Sequence, residues 1–228
     1  LLKEFCPCCI SATVNYLLVP GRKTANYDSR STLRVLKADA MSPQTVTRER
    51  VQRPIAFKFA PAKARAALLW MLDQNERLDL HTVLKACYFA DKTHLNEHQR
   101  PIFGATYRAM RFGPVPVEIY EMVKGEPLWL PELEADHYPW ELRGHYLWRT
   151  KNEPADTSYL SKSDMRALEE GYRRSIGMKF NERTAATHGP DWQAADMGIM
   201  RYEDMLEDSP RKKKLIAYLR EAGRFVRL

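Results

Sequence analysis

The pentapeptide His94-Leu95-Asn96-Glu97-His98 reads H-x-x-E-H, the signature of an inverted zinc-protease helix. That chemistry needs two histidines one turn apart, a general-base glutamate and a third ligand. At 100° per residue, His94 and His98 do share a helix face. The same face is the apolar stripe of a segment running through Leu80, Val83, Leu84, Cys87, Tyr88 and Leu95. From Leu80, Asp91 lies about 20° off the stripe's centre, His94 about 40° off, and His98 on it. Asp91 and His94 therefore point into a core, where a charge must be paired. The spacing predicts a buried Asp91–His94 pair, or two polar anchors for the backbone of the loops that carry Gly104 and Gly113. The helix should fray at His98, just before Gln99-Arg100-Pro101, and a metal ligand there would be poorly preorganised. A zinc-dependent hydrolase on residues 94–98 is the enzymatic alternative.

Other chemistry-bearing stretches are weaker. Gly104 and Gly113 are too far apart for a G-x-G-x-x-G phosphate loop, and no G-x-x-x-x-G-K occurs. They are expected to supply unusual backbone angles instead. His188, in Thr-His-Gly-Pro-Asp-Trp (187–192), has no Ser or Cys nucleophile elbow to serve, and reads as a corner with Trp192 packed in the core. The run Arg211-Lys212-Lys213-Lys214 reads as a solvated face or as a contact for phosphate or an acidic partner. Three cysteines bunch at Cys6, Cys8 and Cys9, with Cys87 apart, which is neither a disulfide framework nor a zinc-finger spacing. Cys87 reads as a small buried hydrophobe.

The elements that must position these residues follow from periodicity and punctuation. A first helix is expected from Pro61, with Ala64, Ala67, Leu68, Met71 and Leu72 at helical spacing. Asp79 can cap the second, which should end before Pro101. Residues 106–110 read as a short extended piece, and Gly113-Pro114-Val115-Pro116 as a rigid turn opening a third helix over Val115–Lys124. Residues 138–150 read as a hairpin with Gly144 at its turn. Ser161-Lys162-Ser163-Asp164 is a capping-box start, ahead of Met165, Leu168 and Tyr172. Short helices near 181–187 and after Pro190 come next. The last, from Pro210, carries Leu215, Ile216, Leu219 and Phe225. The fold class is mainly α (α+β), a compact helical domain with one small β-hairpin or short sheet.

Composition bounds the function. The chain has 228 residues, 44% hydrophobic and 11% aromatic, which fills one ordinary domain and is not a disordered composition. Formal net charge is +7. Residues 1–40 hold +3 and residues 41–228 hold +4, little for a nucleic-acid-binding domain of that size. No run of eighteen apolar residues suggests a membrane span. The apolar run at 8–19 is interrupted by Asn15 and lacks a cleavage pattern, so a secretory signal is not expected and a reducing cytoplasm is. Residues 1–53 are expected to be poorly ordered or to lie upstream of a true start at Met41, with the folded domain spanning 54–228.

The order of motifs carries more than any one of them. LKACYFADKTHL (84–95), RPIFGATYRAMRFGPVPVEIYEMVKG (100–125), YLSKSDMRAL (159–168), THGPDWQAA (187–195) and YEDML (202–206) occur in sequence. Together, over about residues 62–206, they resemble the Panacea domain family, the SocA-like antitoxins of bacteria and phages. The resemblance implies a cytoplasmic protein that neutralises a toxin encoded beside it by direct binding. SocA-like members can also act as adaptors that deliver the toxin to a protease. It implies no cofactor, no metal and no enzymatic role. Tyr88, Asp91, His94, Gly104, Tyr107, Gly113, Pro114 and Pro116 stand at family-motif positions and are expected to be scaffold or partner-surface residues. Glu97 and His98 fall where the family is expected to vary, Cys87 where leucine is more usual, and residues 1–50 match nothing in it. Antitoxins often repress their own operons, so operator DNA is a further candidate partner, against which the modest +4 weighs.

Overall fold

The computed structural model describes residues 53–228, residue 152 excepted. The expected N-terminal segment, the start at Met41, the apolar run 8–19 and the Cys6, Cys8 and Cys9 cluster lie outside the described residues.

Helix α1 (Pro61–Gln74) begins with Pro61 in its first turn, where a missing N–H costs nothing. A short strand β1 (Arg77–Asp79) leads into α2 (Leu80–His98). Asp79 caps α2, its Oδ2 accepting from the Thr82 N–H at 3.0 Å. The helix ends where Gln99 turns left-handed at φ 61°, ahead of Pro101. Every residue from Thr82 to Asp91 is buried. The expected stripe is therefore too narrow: α2 is the central helix of the fold, covered on several sides, and even Lys85 is 1% exposed. Cys87 is buried and free.

Strands β2 (Tyr107–Met110) and β3 (Gly113–Pro116) form an antiparallel pair, with Tyr107 opposite Pro116 and Met110 opposite Gly113. This corrects the rigid-turn reading of Gly113–Pro116. The turn is Arg111-Phe112, and the two prolines sit in a strand of a two-stranded ladder, where a missing N–H is tolerated. Helix α3 (Val117–Val123) consequently starts two residues later than expected, with Ile119, Met122 and Val123 buried. Strands β4 (Trp140–Arg143) and β5 (Tyr146–Arg149) form the expected hairpin, Gly144 taking φ +60° at its turn. Strand β1 adds antiparallel to β5, in the order β1-β5-β4.

Helix α4 (Lys162–Ile176) carries the complete capping box of Ser161 and Asp164. It lies closely along α2. A Cβ on Gly171 would come within 2.6 Å of the Ala86 carbonyl oxygen and 2.8 Å of the Ala90 nitrogen, so the crossing needs small residues on both helices. Helices α5 (Phe180–Thr187), α6 (Pro190–Ala194), α7 (Tyr202–Met205) and α8 (Lys212–Ala222) complete the described fold. In α8, Leu219 is buried, while Leu215 and Ile216 are partly buried against the core. Phe225 departs from the expected apolar set. It lies beyond α8 in a single 3-10 turn and is 87% exposed. The class is mainly helical with small antiparallel sheets. No described helix is long and apolar enough to cross a membrane.

Candidate functional site

The polar residues of α2 each hold a different segment of chain. Asp91 is fully buried. Its Oδ1 accepts from the Ile102 N–H at 2.7 Å and the Phe103 N–H at 3.0 Å, and its Oδ2 accepts from the Tyr107 hydroxyl at 3.0 Å. The turn it grips ends at Gly104, with φ +66°, where a Cβ would lie 2.5 Å from the Lys58 carbonyl oxygen. Burial pushes the Asp91 carboxyl up to about 7 against the pull of those three hydrogen bonds. Burial likewise carries the Tyr107 hydroxyl well above its usual value.

His94 does not pair with Asp91. Its Nδ1 lies 2.8 Å from the Arg100 carbonyl oxygen, and its Nε2 lies 3.0 Å from Ser163 Oγ and 3.1 Å from Asp164 Oδ1. Burial lowers the His94 pKa, against the Arg100 carbonyl hydrogen bond and the nearby Asp164 charge. A carbonyl can only accept, so Nδ1 carries a proton. The expected pair is not formed, and the expected anchoring holds in part: Asp91 and His94 both grip the stretch before Gly104, and neither hydrogen-bonds to the Gly113 loop. Beside the ring, Asp164 is also fully buried. Its Oδ2 takes Lys63 Nζ at 2.5 Å and the Ser161 N–H at 2.9 Å, and Arg100 Nη2 lies 3.0 Å from Oδ1. Burial of Asp164 works upward, but the Lys63 and Ser161 hydrogen bonds and the Lys63 and Arg100 charges hold its pKa below the usual carboxylate value.

Lys85 performs for Gly113 what Asp91 performs for Gly104. Its Nζ donates to the Pro114 carbonyl at 2.6 Å. Gly113 has φ +95°, and a Cβ there would collide with Thr187 Oγ1 and lie 3.1 Å from Lys85 Cε. Burial, with the Arg183 charge, lowers the Lys85 amine to about 7. One helical turn on, Tyr88 donates to Asp191 Oδ2 at 2.5 Å, and Lys92 joins the same oxygen at 3.0 Å. Asp191 is the aspartate of the Gly-Pro-Asp-Trp corner. Trp192, partly buried rather than within the core, donates to the Met110 carbonyl at 3.0 Å and stacks on His188 with ring centroids 3.8 Å apart. Arg183 closes the set, donating to the Ser175 and Met178 carbonyls at 2.9 and 2.7 Å and to Asp79 at 3.2 Å.

All eight motif positions, Tyr88, Asp91, His94, Gly104, Tyr107, Gly113, Pro114 and Pro116, are buried. The structure joins Asp91, Gly104 and Tyr107 in one group and Lys85, Gly113 and Pro114 in another. Pro116 stands opposite Tyr107 in the ladder. Sequence reasoning missed Lys85, Asp164, Arg183 and Asp191. The signal for Lys85 was its place among apolar neighbours in LKACYFA. For Asp164 it was the capping box, which uses the carboxylate as a cap and leaves a second oxygen for α2.

Among the large apolar side chains left exposed are two phenylalanines that meet. Phe112, at the β2–β3 turn, is 47% exposed and Phe180 44% exposed. Their rings meet edge-on with centroids 5.3 Å apart. His81 ties them together: its Nε2 lies 3.0 Å from the Phe112 carbonyl oxygen, and its ring sits 4.4 Å from that of Phe180. Burial, with the Lys85 and Arg183 charges, lowers His81 to about 4 despite the Phe112 hydrogen bond, so the patch carries a neutral imidazole at pH 7.

HLNEH has a different occupation from the zinc signature. Both His94 ring nitrogens are engaged, Glu97 accepts from Arg166 at 2.7 Å, and His98 packs against the His94 ring. Asn96, between them, binds the carbonyls of Lys92 and Met205 and accepts from the Glu207 N–H at 2.7 Å. Among the described residues no group of three or more His, Cys, Asp or Glu side chains could hold a metal.

With this geometry in view, the family model of the SocA-like antitoxin, Panacea domain, matches residues 83–193. Over that span the chain belongs to the Panacea domain family. The match is narrower than the motif order over 62–206, and it contains all eight motif positions together with Lys85, Asp164, Arg183 and Asp191. No curated protein and no solved structure matches the chain. The Panacea domain is thus α2 through α6 with the loops that α2 grips. The family assignment favours a non-enzymatic role and a toxin as partner.

Proposed function

We propose that this chain is a cytoplasmic antitoxin that neutralises a toxin encoded beside it by direct protein–protein contact. The observation that carries the reading is how the family positions are used. All eight are consumed inside the framework, which holds the β2–β3 turn and the start of α5 so that Phe112 and Phe180 face solvent together. Exposed aromatics on a rigid support make effective contact anchors, because little rotamer freedom is lost on binding. The buried motif residues act as scaffold, and Phe112, Phe180 and the flanking Arg111 form the contact surface. Bound toxin is blocked, or is delivered from this surface to a protease.

Co-expression with the adjacent gene tests this. That gene alone should arrest growth, and this chain should restore it and co-purify with its product. Phe112→Ser with Phe180→Ser should abolish rescue while leaving the unfolding temperature within a few degrees of wild type. A harmless neighbour, or full rescue by the double variant, defeats the reading. Toxin half-life in rescued cells separates the two modes: shortened for delivery to a protease, unchanged for blocking.

A further inference from the structure

We propose that the outward face of α8 and the turn after it bind single-stranded nucleic acid. This goes beyond the antitoxin reading and does not depend on it. Residues 211–228 hold seven Lys or Arg against one acidic side chain, a net of +6. Residues 53–210 hold 21 basic and 24 acidic side chains, a net of −3. The positive charge of the described residues is therefore concentrated in the final eighteen.

Geometry divides these charges into two sets. Lys212 pairs with Asp208 at 3.0 Å and donates to the Leu206 carbonyl at 2.7 Å. Arg220 pairs with Glu203 at 3.1 Å, and Glu203 itself is 6% exposed. With buried Leu219 and partly buried Leu215 and Ile216, these contacts seat one side of α8 on the domain. The opposite side carries Lys213, Lys214, Ala217, Tyr218 and Glu221, all exposed and within about 140° of one another at 100° per residue. Arg211, Lys213, Lys214, Arg224 and Arg227 make no ion pair among the described residues. Tyr218 is 59% exposed and Phe225 87% exposed, set among these cations.

Unpaired cations track a phosphate backbone, and exposed rings between them give unpaired bases a surface to stack on. A duplex keeps its bases stacked internally and leaves the two rings without that role. A membrane surface needs a free apolar helix face, and here that face is committed to the core. Glu221 is the one carboxylate on the outward face and opposes a polyanion.

The test is fluorescence anisotropy of the full chain with labelled 20-nucleotide oligo(dT), oligo(U) and a duplex of equal length, from 50 to 300 mM salt. Both single strands should bind more tightly than the duplex, with a log–log salt slope near about −3.5 for five neutralised phosphates. A preference for oligo(U) identifies RNA as the ligand, and a preference for oligo(dT) identifies DNA. Lys213→Glu with Lys214→Glu should weaken binding at least about tenfold. Tyr218→Ala with Phe225→Ala should weaken it about fivefold or more with the salt slope unchanged, the mark of lost stacking. Glu221→Gln should tighten it. All three proteins should unfold at the wild-type temperature. No binding by the wild type, variants that bind as wild type does, or tighter binding to the duplex or to anionic lipid vesicles overturns the proposal.

Discussion

Helices α2 and α8 both carry several charged side chains, and they use them in opposite ways. On α2, Asp91 is fully buried, Lys85 is 1% exposed, and each has its partner inside the chain: the Ile102–Phe103 backbone and Tyr107 for Asp91, the Pro114 carbonyl for Lys85. On α8, Lys213 and Lys214 are exposed and make no ion pair among the described residues. Desolvated charges of the first kind are fixed by the fold, because removing one partner strands the other. Exposed charges of the second kind contribute almost nothing to stability. Net charge does not separate the two kinds; burial and partners do.

The largest expected effect lies on α2. Asp91→Ala strands two backbone donors and the Tyr107 hydroxyl, and should cost on the order of 4 kcal/mol in urea unfolding. Asp91→Asn, which keeps an acceptor for Ile102 and Phe103, should lose much less. Equal losses for both would mean that charge, rather than hydrogen bonding, is what the site requires.

A middle-sized effect concerns pH. Lys85 sits at about 7 when folded, below its ordinary 10.5. The unfolded chain then binds more protons between those values, so stability should rise with pH from 7 upward and be flat in this respect below 7. Asp91 acts in a separate window. Its folded value of about 7 lies above the ordinary 3.8, so it removes stability as pH rises from about 4 to 7. From pH 7 upward the Lys85 rise dominates, opposed toward pH 9.5 by Cys87, whose buried thiol is held above its ordinary 9.0. The wild type should gain on the order of 5 °C in unfolding temperature from pH 7 to 9.5. Lys85→Met should flatten the rise, and a slope that survives in the variant would assign the effect elsewhere.

The smallest effect belongs to α8. Lys213→Ala and Lys214→Ala should each change stability by less than about 0.5 kcal/mol. A larger loss would place these lysines with the framework charges and erase the contrast between the helices.

Much of the framework was legible in the sequence, and the reasons are local. Asp79 and Ser161 announced their helices because caps obey short-range rules. Gly104 and Gly113 announced positive φ, and the periodicity from Leu80 turned Asp91 and His94 inward. What was not legible depends on long-range packing. Gly113–Pro116 read as a turn because prolines argue against strands, and only the single neighbouring strand β2 makes them tolerable. Lys85 was passed over because its acceptor lies 29 residues away. The His94–Ser163 contact spans 69 residues, so the choice between a pair and two anchors could not be made from spacing. The basic character of the C-terminus was present in Arg-Lys-Lys-Lys, but a charge of +4 averaged over residues 41–228 concealed it.

The central claim is that the Panacea framework presents the Phe112–Phe180 surface to a toxin while α8 stands apart from that contact. Calorimetric titration of the adjacent gene's product into three forms of this chain tests it most directly. Wild type and the Lys213→Glu/Lys214→Glu variant should bind with the same affinity, and Phe112→Ser/Phe180→Ser should lose binding by about two orders of magnitude or more. Undiminished binding by the aromatic variant, or loss confined to the α8 variant, would contradict the account.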